Sequence, residues 1–290
     1  MERTLPHLMR RPVACPVCGG PAGAVIDRKR TGLGTLKTVH CPGCGMVWSS
    51  PRPLTRVYSA FYRGAYSKEV YGLSQSDASV DEVLRWRTRR SLEKISYFPG
   101  FWKRGAAVLE VGTGTGAFLA ALRDKYGSRV WGIEPAPAFV RTARRLDLTV
   151  FAGSYEAWRR RRPAAFPLTY DRIVLDQVLE HILDPVSFLC SLVPLMCADG
   201  QLFISVPNIA RPKDPRSRFF IFEHVSSFSP YPLVLLLLRA GWKPTGIFEE
   251  RPGSLQMTAA PLCAAIPMLP ASRWGRPLTA EDIRRRFSRL

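Results

Sequence analysis

The chain is short of acid, of lysine and of long apolar runs. Its 290 residues hold 23 Asp and Glu against 42 Lys and Arg, and only 8 of those cations are lysine. The Leu-rich run Pro232–Leu238 is far too short to cross a bilayer, which takes about 20 apolar residues. Residues Met1–Val13 are basic and broken by prolines, without the apolar core of a signal peptide. These absences argue against a spanning helix or an export signal in this sequence, and the expectation is a soluble, cytoplasmic chain. No RNP motif and no Gly-x-x-Gly clamp in a KH-like setting is present, so no local pattern names RNA. The net charge of +19 still allows an acidic partner: nucleic acid, a nucleotide-linked substrate or an anionic membrane. Solvated arginine-rich helices account equally well for the excess, which gathers in residues 85–104, 141–162 and 271–290.

Cysteine is present in odd number, seven, which argues against a disulfide framework. Four of them form an internal repeat, Cys15-Pro16-Val17-Cys18-Gly19 and Cys41-Pro42-Gly43-Cys44-Gly45. Each knuckle presents two thiolates from one tight turn, and two knuckles make a tetrahedral sulfur set, the preference of Zn²⁺. With all four positions filled by Cys15, Cys18, Cys41 and Cys44, none is left for water, so the zinc is structural. Residues 13–52 are therefore predicted to be a zinc ribbon, with strands near Ala24–Arg28, Thr35–His40 and Met46–Ser49. A redox role suits neither pair, since neither opens a helix after a strand. Cys190, Cys197 and Cys263 lie in apolar stretches and are expected in the core.

Residues 53–102 connect the ribbon to the next domain. Tyr58, Phe61, Tyr62, Tyr66 and Tyr71 are expected to pack, or to cover an active-site mouth as a lid. A loop is expected at Ser74–Ser79 and a helix over Val80–Ile95. From residue 103 to 250, strands and helices alternate regularly, which predicts an α/β domain. Its first strand runs into Glu110-Val111-Gly112-Thr113-Gly114-Thr115-Gly116, after which a helix opens at Ala117. Glycines there permit a sharp turn and let a ligand lie against bare peptide N–H groups. The spacing differs from the Gly-x-Gly-x-x-Gly of nicotinamide and flavin sites. A second strand, Val130–Ile133, ends in Glu134, where a carboxylate suits ribose hydroxyls. Residues 251–290, proline-rich and basic, are expected to form a tail that is partly ordered at most.

These motifs resemble the class I S-adenosylmethionine (SAM) dependent methyltransferases. Tyr170–Ile182 with Asp184-Pro185 is similar to that family's fourth-strand motif, and His224–Ser229 with Ala240-Gly241-Trp242 to its late loop and helix. A double Cys-Pro-x-Cys-Gly module ahead of such a domain resembles a bacterial subgroup acting on sugars, cell-surface glycans or secondary metabolites. The resemblance implies a Rossmann-like sheet with helices on both faces, preceded by the ribbon. It implies that Glu110 and the turn Gly112, Thr113, Gly114 and Gly116 hold the amino-acid end of SAM, and that Glu134 holds the ribose. Ser154 would stand at the adenine edge, and Asp176 and Gln177 would face the methionine moiety.

Methyl transfer depends mainly on in-line positioning, and a general base is needed only for a poor nucleophile. His224 is the candidate base, beside Glu223, which could orient it; a packing role for His224 is the alternative. His181 is expected to cap or pack, and Glu180 to accept hydrogen bonds. Sugar C-methyltransferases of the subgroup have a Tyr where this chain has Ile221, so an oxygen or nitrogen acceptor on a small molecule, sugar or glycan is expected. Two alternatives remain: an RNA methyltransferase using ribbon and basic surface, and a non-catalytic SAM-fold binding module.

Overall fold

The computed structural model describes residues 13–31, 34–64, 77–249 and 251–288. The expected leader over residues 1–12, Tyr66, Tyr71 and residues 74–76 of the expected loop lie outside the described residues. In chain order the strands are β1 (Val25–Thr31), β2 (Gly34–His40), β3 (Val47–Ser49), β4 (Ala107–Val111), β5 (Arg129–Glu134), β6 (Thr149–Ala152), β7 (Tyr170–Asp176), β8 (Met196–Val206), β9 (Ser226–Ser227), β10 (Trp242–Phe248) and β11 (Leu255–Pro261). The α-helices are α1 (Thr55–Gly64), α2 (Asp77–Ser96), α3 (Ala117–Tyr126), α4 (Pro137–Arg145), α5 (Tyr155–Arg161), α6 (Pro185–Leu192), α7 (Arg216–Phe219), α8 (Pro230–Arg239) and α9 (Ala280–Phe287).

Strands pair in two sheets, β1-β2-β3-β9 and β10-β11-β8-β7-β4-β5-β6. In the seven-stranded sheet β4 runs parallel to both β5 and β7, and β5 parallel to β6, whereas β10 and β11 are antiparallel. The chain thus steps outward from β4 through β5 to β6, then returns to the other side of β4 with β7. That reversal beside β4 is a switch point, the place where open α/β sheets bind ligands beyond the carboxyl ends of their strands. Strand β4 is buried along its whole length, as a strand covered on both faces must be. The expected Rossmann-like sheet flanked by helices is present.

By its contacts the chain divides into two units. The first comprises Met1–Tyr58, Gln177–Val193 and Ile204–Leu290, and the second Ser59–Asp176 and Pro194–Phe203. In the second unit an aromatic core forms where Trp102, Phe118 and Phe203 meet with ring centroids 5.4–5.6 Å apart. Burying Phe118 and Phe203 contributes about 1.5–3 kcal/mol each. The indole of Trp102 donates to the carbonyl of Ile95 (3.0 Å), closing the end of α2 onto that core. Helix α2 begins at Asp77, so residues 77–79 of the expected loop are helical. The basic run after β6 is helical too: α5 takes up Arg159–Arg161.

In the first unit the ribbon strands do not stand alone. Strand β3 pairs with β9 (Val47 with Ser227, Trp48 with Ser226), and Ser49 takes part through both groups, its N–H donating to Val225 O (3.0 Å) and its hydroxyl to His224 O (3.3 Å). The C-terminal residues depart from expectation. Leu255–Pro261 form a strand buried at every position. Helix α9, opened by a capping box at Thr279 and Asp282, buries Ile283 and Phe287 against Ile26, Phe219 and Phe220. Ahead of it, the carbonyl of Leu278 is bonded by His40 Nε2 at 2.7 Å. The cause is two apolar residues four apart on an otherwise charged helix, enough to bury one narrow face. Cys190 and Cys263 are exposed and Cys197 half-buried, which corrects the expectation of three core thiols. Among the described residues no helix is long and apolar enough to cross a membrane.

Candidate active site

Strand β4 ends at Val111 and α3 opens at Ala117, so the chain must turn sharply between them. Gly112, Gly114 and Gly116 do so with φ of +74°, +55° and +83°, values that side chains rarely adopt. The turn's amides are spent inside the second unit. Gly112 and Thr113 N–H both donate to Ile133 O (2.8 and 3.1 Å), Gly116 N–H donates to Thr113 O (3.0 Å), and Gly114 N–H donates to the Glu134 carboxylate (2.8 Å). The expectation of bare N–H groups offered to a ligand is therefore corrected at these four positions. What the turn offers is room: a Cβ on Gly114 would meet nothing within 4 Å. Gly116 differs, since a Cβ there would lie 2.5 Å from Leu148 Cδ1 and 3.0 Å from Ala143 Cβ. It is a packing glycine that lets the start of α3 approach α4. Thr113 occupies the place of a missing side chain, its Oγ1 only 2.3 Å from where a Cβ of Gly132 would stand. That hydroxyl donates to Glu110 O (3.1 Å).

Three carboxylates gather at the carboxyl ends of β4, β5 and β7. Glu110 is 2% exposed, and its Oε2 has no hydrogen-bond partner among the described residues. Burial, then the charge of Asp176, pushes its carboxyl well above the usual range. Glu134 acts as a strut: one oxygen accepts from Gly114 N–H and the other from Ala136 N–H, both at 2.8 Å. Burial nevertheless raises it to about 7, against the pull of those two bonds and of Arg87. Asp176 is ion-paired with Lys94 of α2. Lys94 and Arg87 both lower the Glu110 carboxyl, so α2 supplies the cations that let acids be buried here. The sequence marks α2 only as basic; a pair 82 residues apart leaves no local signal.

Ser154 caps α5, its hydroxyl accepting from Ala157 N–H at 3.3 Å, the ordinary task of a serine before a helix. Gln177 follows β7 with φ of +57°, a conformation that costs about 1–3 kcal/mol and gathers at functional positions. It is held in the first unit by its N–H on Ser205 O (2.8 Å) and its side-chain amide on Ser205 Oγ (3.3 Å).

A family profile described as a methyltransferase domain matches residues 83–245, more than half of the chain. The chain belongs to the methyltransferase-domain family. Among curated proteins, the ubiquinone biosynthesis O-methyltransferase of Xanthomonas campestris pv. campestris is 31% identical over 106 residues, 36% of this chain and 44% of that protein. The protein of the same name from Neisseria meningitidis serogroup C is 30% identical over 133 residues, 44% of this chain and 54% of that one. The chain thus spans about half the length of the curated relatives it matches. Two solved structures share the fold. The 1,6-didemethyltoxoflavin-N1-methyltransferase of Burkholderia thailandensis, solved with S-adenosylhomocysteine bound, covers 76% of this chain and 97% of its own at 20% identity and TM-score 0.51. The plantazolicin methyltransferase BamL, solved with SAH, covers 70% and 96% at 14% identity and TM-score 0.52.

The first unit of this family member carries the cysteine cluster. Its two knuckles repeat in structure as in sequence: Gly19 N–H donates to Cys15 O (2.9 Å) and Gly45 N–H to Cys41 O (3.0 Å), with φ of +76° and +73° at the two glycines. Cys15 Sγ lies 3.6 Å from Cys44 Sγ, and Cys18 Sγ 3.4 Å from Cys41 Sγ. A disulfide would bring sulfurs to about 2 Å, while a zinc tetrahedron has edges of about 3.8 Å. The sulfur set is compatible with zinc. The hydrogen bond from Cys44 draws Cys15 down to about 5, and the same bond with burial pushes Cys44 up.

The same unit holds both candidate histidines. His181 Nδ1 is bonded to Glu223 O (2.9 Å) and His224 Nδ1 to Phe219 O (3.1 Å), with the rings 5.0 Å apart. Glu223 thus anchors His181 through its backbone, and His224 is anchored by Phe219 rather than by the expected Glu223. Burial lowers His224 to about 4, and burial with the charge of His224 lowers His181 to about 3. Such a histidine stays neutral but is a weak base at pH 7. Tyr58 packs: its hydroxyl donates to Phe222 O (2.7 Å) and its ring lies 5.4 Å from that of Phe222.

Proposed function

We propose that the protein transfers the methyl group of SAM to an oxygen of a small-molecule acceptor. The observation that carries this reading is the buried Glu110 carboxylate with an oxygen that no described residue satisfies, beside an open turn. A partnerless buried carboxylate is costly, and the ammonium of an amino acid is a fitting partner. Glu110 would hold that ammonium, and the open space beside Gly114 would take the amino-acid chain, with Gly112 and Thr113 shaping the turn around it. Glu134 would accept from the ribose hydroxyls with its remaining lone pairs, while Gly116 keeps the turn closed. Ser154 lies after β6, where the adenine edge would come, but its hydroxyl caps α5. Asp176 and Gln177 would face the methionine end. When bound, SAM supplies the activated methyl on its sulfonium. Excluding water and fixing the acceptor oxygen in line are then the chain's tasks. Oxygen is favoured over nitrogen because the curated relatives are named O-methyltransferases. Zinc on Cys15, Cys18, Cys41 and Cys44 would hold the ribbon and take no part in the chemistry, having no open position.

Calorimetric titration of the zinc-loaded chain with SAM tests the reading, alongside Glu110→Gln and Glu134→Ala. Loss of a charge-assisted bond predicts about 10- to 100-fold weaker binding in Glu110→Gln. Glu134→Ala is expected to weaken binding further, because the strut under Gly114 goes with it. No SAM binding by the folded chain would overturn the reading and leave a binding module. Methyl incorporation into RNA rather than small phenols or hydroxylated metabolites would move the acceptor to the nucleic-acid class.

A further inference from the structure

Glu180, His181 and His224 meet inside the first unit, drawn together by the turn after β7 and the loop before β9. One donor atom from each lies within 4.8 Å of the others. Both rings are oriented by their backbone contacts. A carbonyl can only accept, so the Nδ1 that touches Glu223 O in His181, and Phe219 O in His224, carries the hydrogen. Nε2 of each neutral ring then carries the lone pair. Nε2 of His181 stands 3.9 Å from Glu180 Oε1. A backbone carbonyl fixing one ring nitrogen so that the other can bind is the arrangement that supports metal-ligating histidines. We propose that Glu180, His181 and His224 bind a divalent transition-metal ion of the zinc class, separate from the cysteine cluster.

Two imidazole nitrogens and one carboxylate oxygen are borderline donors. They suit zinc, cobalt or ferrous iron better than magnesium or calcium, which take oxygen sets. Bonds of about 2.0–2.2 Å need the donors to close by an ångström or so from their present spread, within reach of side-chain rotation. Three protein ligands leave at least one position for water or a ligand oxygen, unlike the closed four-sulfur set. Binding would commit the Nε2 lone pair of His224, which removes it as a general base. The site rests on its own donors and would stand if methyl transfer failed.

The test is titration of the full-length, reduced, metal-stripped chain with cobalt(II), followed by absorption. Cobalt on the cysteines gives intense sulfur-to-metal charge transfer in the near ultraviolet, whereas a nitrogen and oxygen site gives only weak visible bands. Two equivalents per chain are expected, the second without thiolate bands. Glu180→Gln and His224→Gln should each weaken the second equivalent more than tenfold and leave the thiolate band unchanged, which also reports that the fold is intact. A single equivalent in the unaltered chain overturns the proposal whether or not a variant folds. So does a second equivalent that survives both substitutions.

Discussion

The cysteine knuckles and the glycine turn are both tight backbone turns built on glycines with positive φ, yet they are finished in opposite ways. In the knuckles, four sulfurs face one another at 3.4–3.6 Å across the two pairs, and every donor is directed at the same point. At the glycine turn, the amides are spent internally, while a carboxylate oxygen of Glu110 is left unsatisfied and the space at Gly114 left open. A set whose donors converge on one another holds a chain together. One that keeps a buried carboxyl oxygen without a hydrogen-bond partner beside room for a ligand has the form of a binding site. The shared use of glycine hides this difference until the side chains are placed.

The largest expected effect breaks the knuckle side. Chelation of the metal, or Cys41→Ser, should remove metal-binding free energy on the order of 10 kcal/mol. Hydrogen exchange should then show Val47–Ser49 and Ser226–Ser227 losing protection together, since β3 and β9 are paired. The amides of β4 and β5 should keep theirs.

The next effect belongs to the turn. The Glu134 carboxyl lies at about 7 in the fold against 4.5 when unperturbed, so between those values the folded state holds a proton that the unfolded chain has lost. Stability is therefore greatest below the unfolded value and falls as pH rises toward 7, by about 3 kcal/mol in all. Urea unfolding of the ligand-free chain at pH 5 and pH 7.5 should show that slope, and Glu134→Gln should flatten it.

Two glycine substitutions sharpen the contrast within the turn. Gly116→Ala drives a Cβ into Leu148 and should cost about 1–3 kcal/mol of stability, read from the denaturant midpoint. Gly114→Ala meets no neighbour, so its stability cost is the backbone strain alone, about 1–2 kcal/mol. Its main effect should be on SAM affinity, because the added methyl enters the open space. The smallest effect is Ser154→Ala, which removes a helix cap and should cost about 1 kcal/mol, with thermal unfolding as the measure.

Much of the architecture was legible because local pattern carried it. The apolar run of β4, the acid before three alternating glycines and the acid ending β5 were enough for the Rossmann-like fold and for the residues brought together at its strand ends. The repeat of Cys-Pro-x-Cys-Gly was enough to bring four sulfurs to one point. Missed features rest on long-range partners. Strand β11 reads Leu-Gln-Met-Thr-Ala-Ala-Pro, an alternation of only five residues inside a proline-rich stretch, and it becomes a strand, buried at every position, through its pairing with β10. Helix α9 shows only Ile283 and Phe287 as large apolar residues on a run otherwise dominated by charge, and its burial depends on Ile26, Phe219 and Phe220. Lys94 needed Asp176 to acquire a meaning. Gly132 reads as an ordinary strand residue, and its importance follows from the Thr113 hydroxyl that fills its missing side chain.

The pairing of β3 with β9 has a consequence for anyone shortening this protein. A truncation at residue 53 would look like the removal of an independent appendage. It would instead strip β9 of its neighbour, take away the hydroxyl that Ser49 sets on the His224 carbonyl, and uncover the apolar faces of Phe219, Phe220, Ile283 and Phe287. The remainder would carry an open strand edge next to greasy surface, the combination that seeds association between chains. The ribbon is better regarded as the outer wall of the loop that bears His224 than as a detachable N-terminal module.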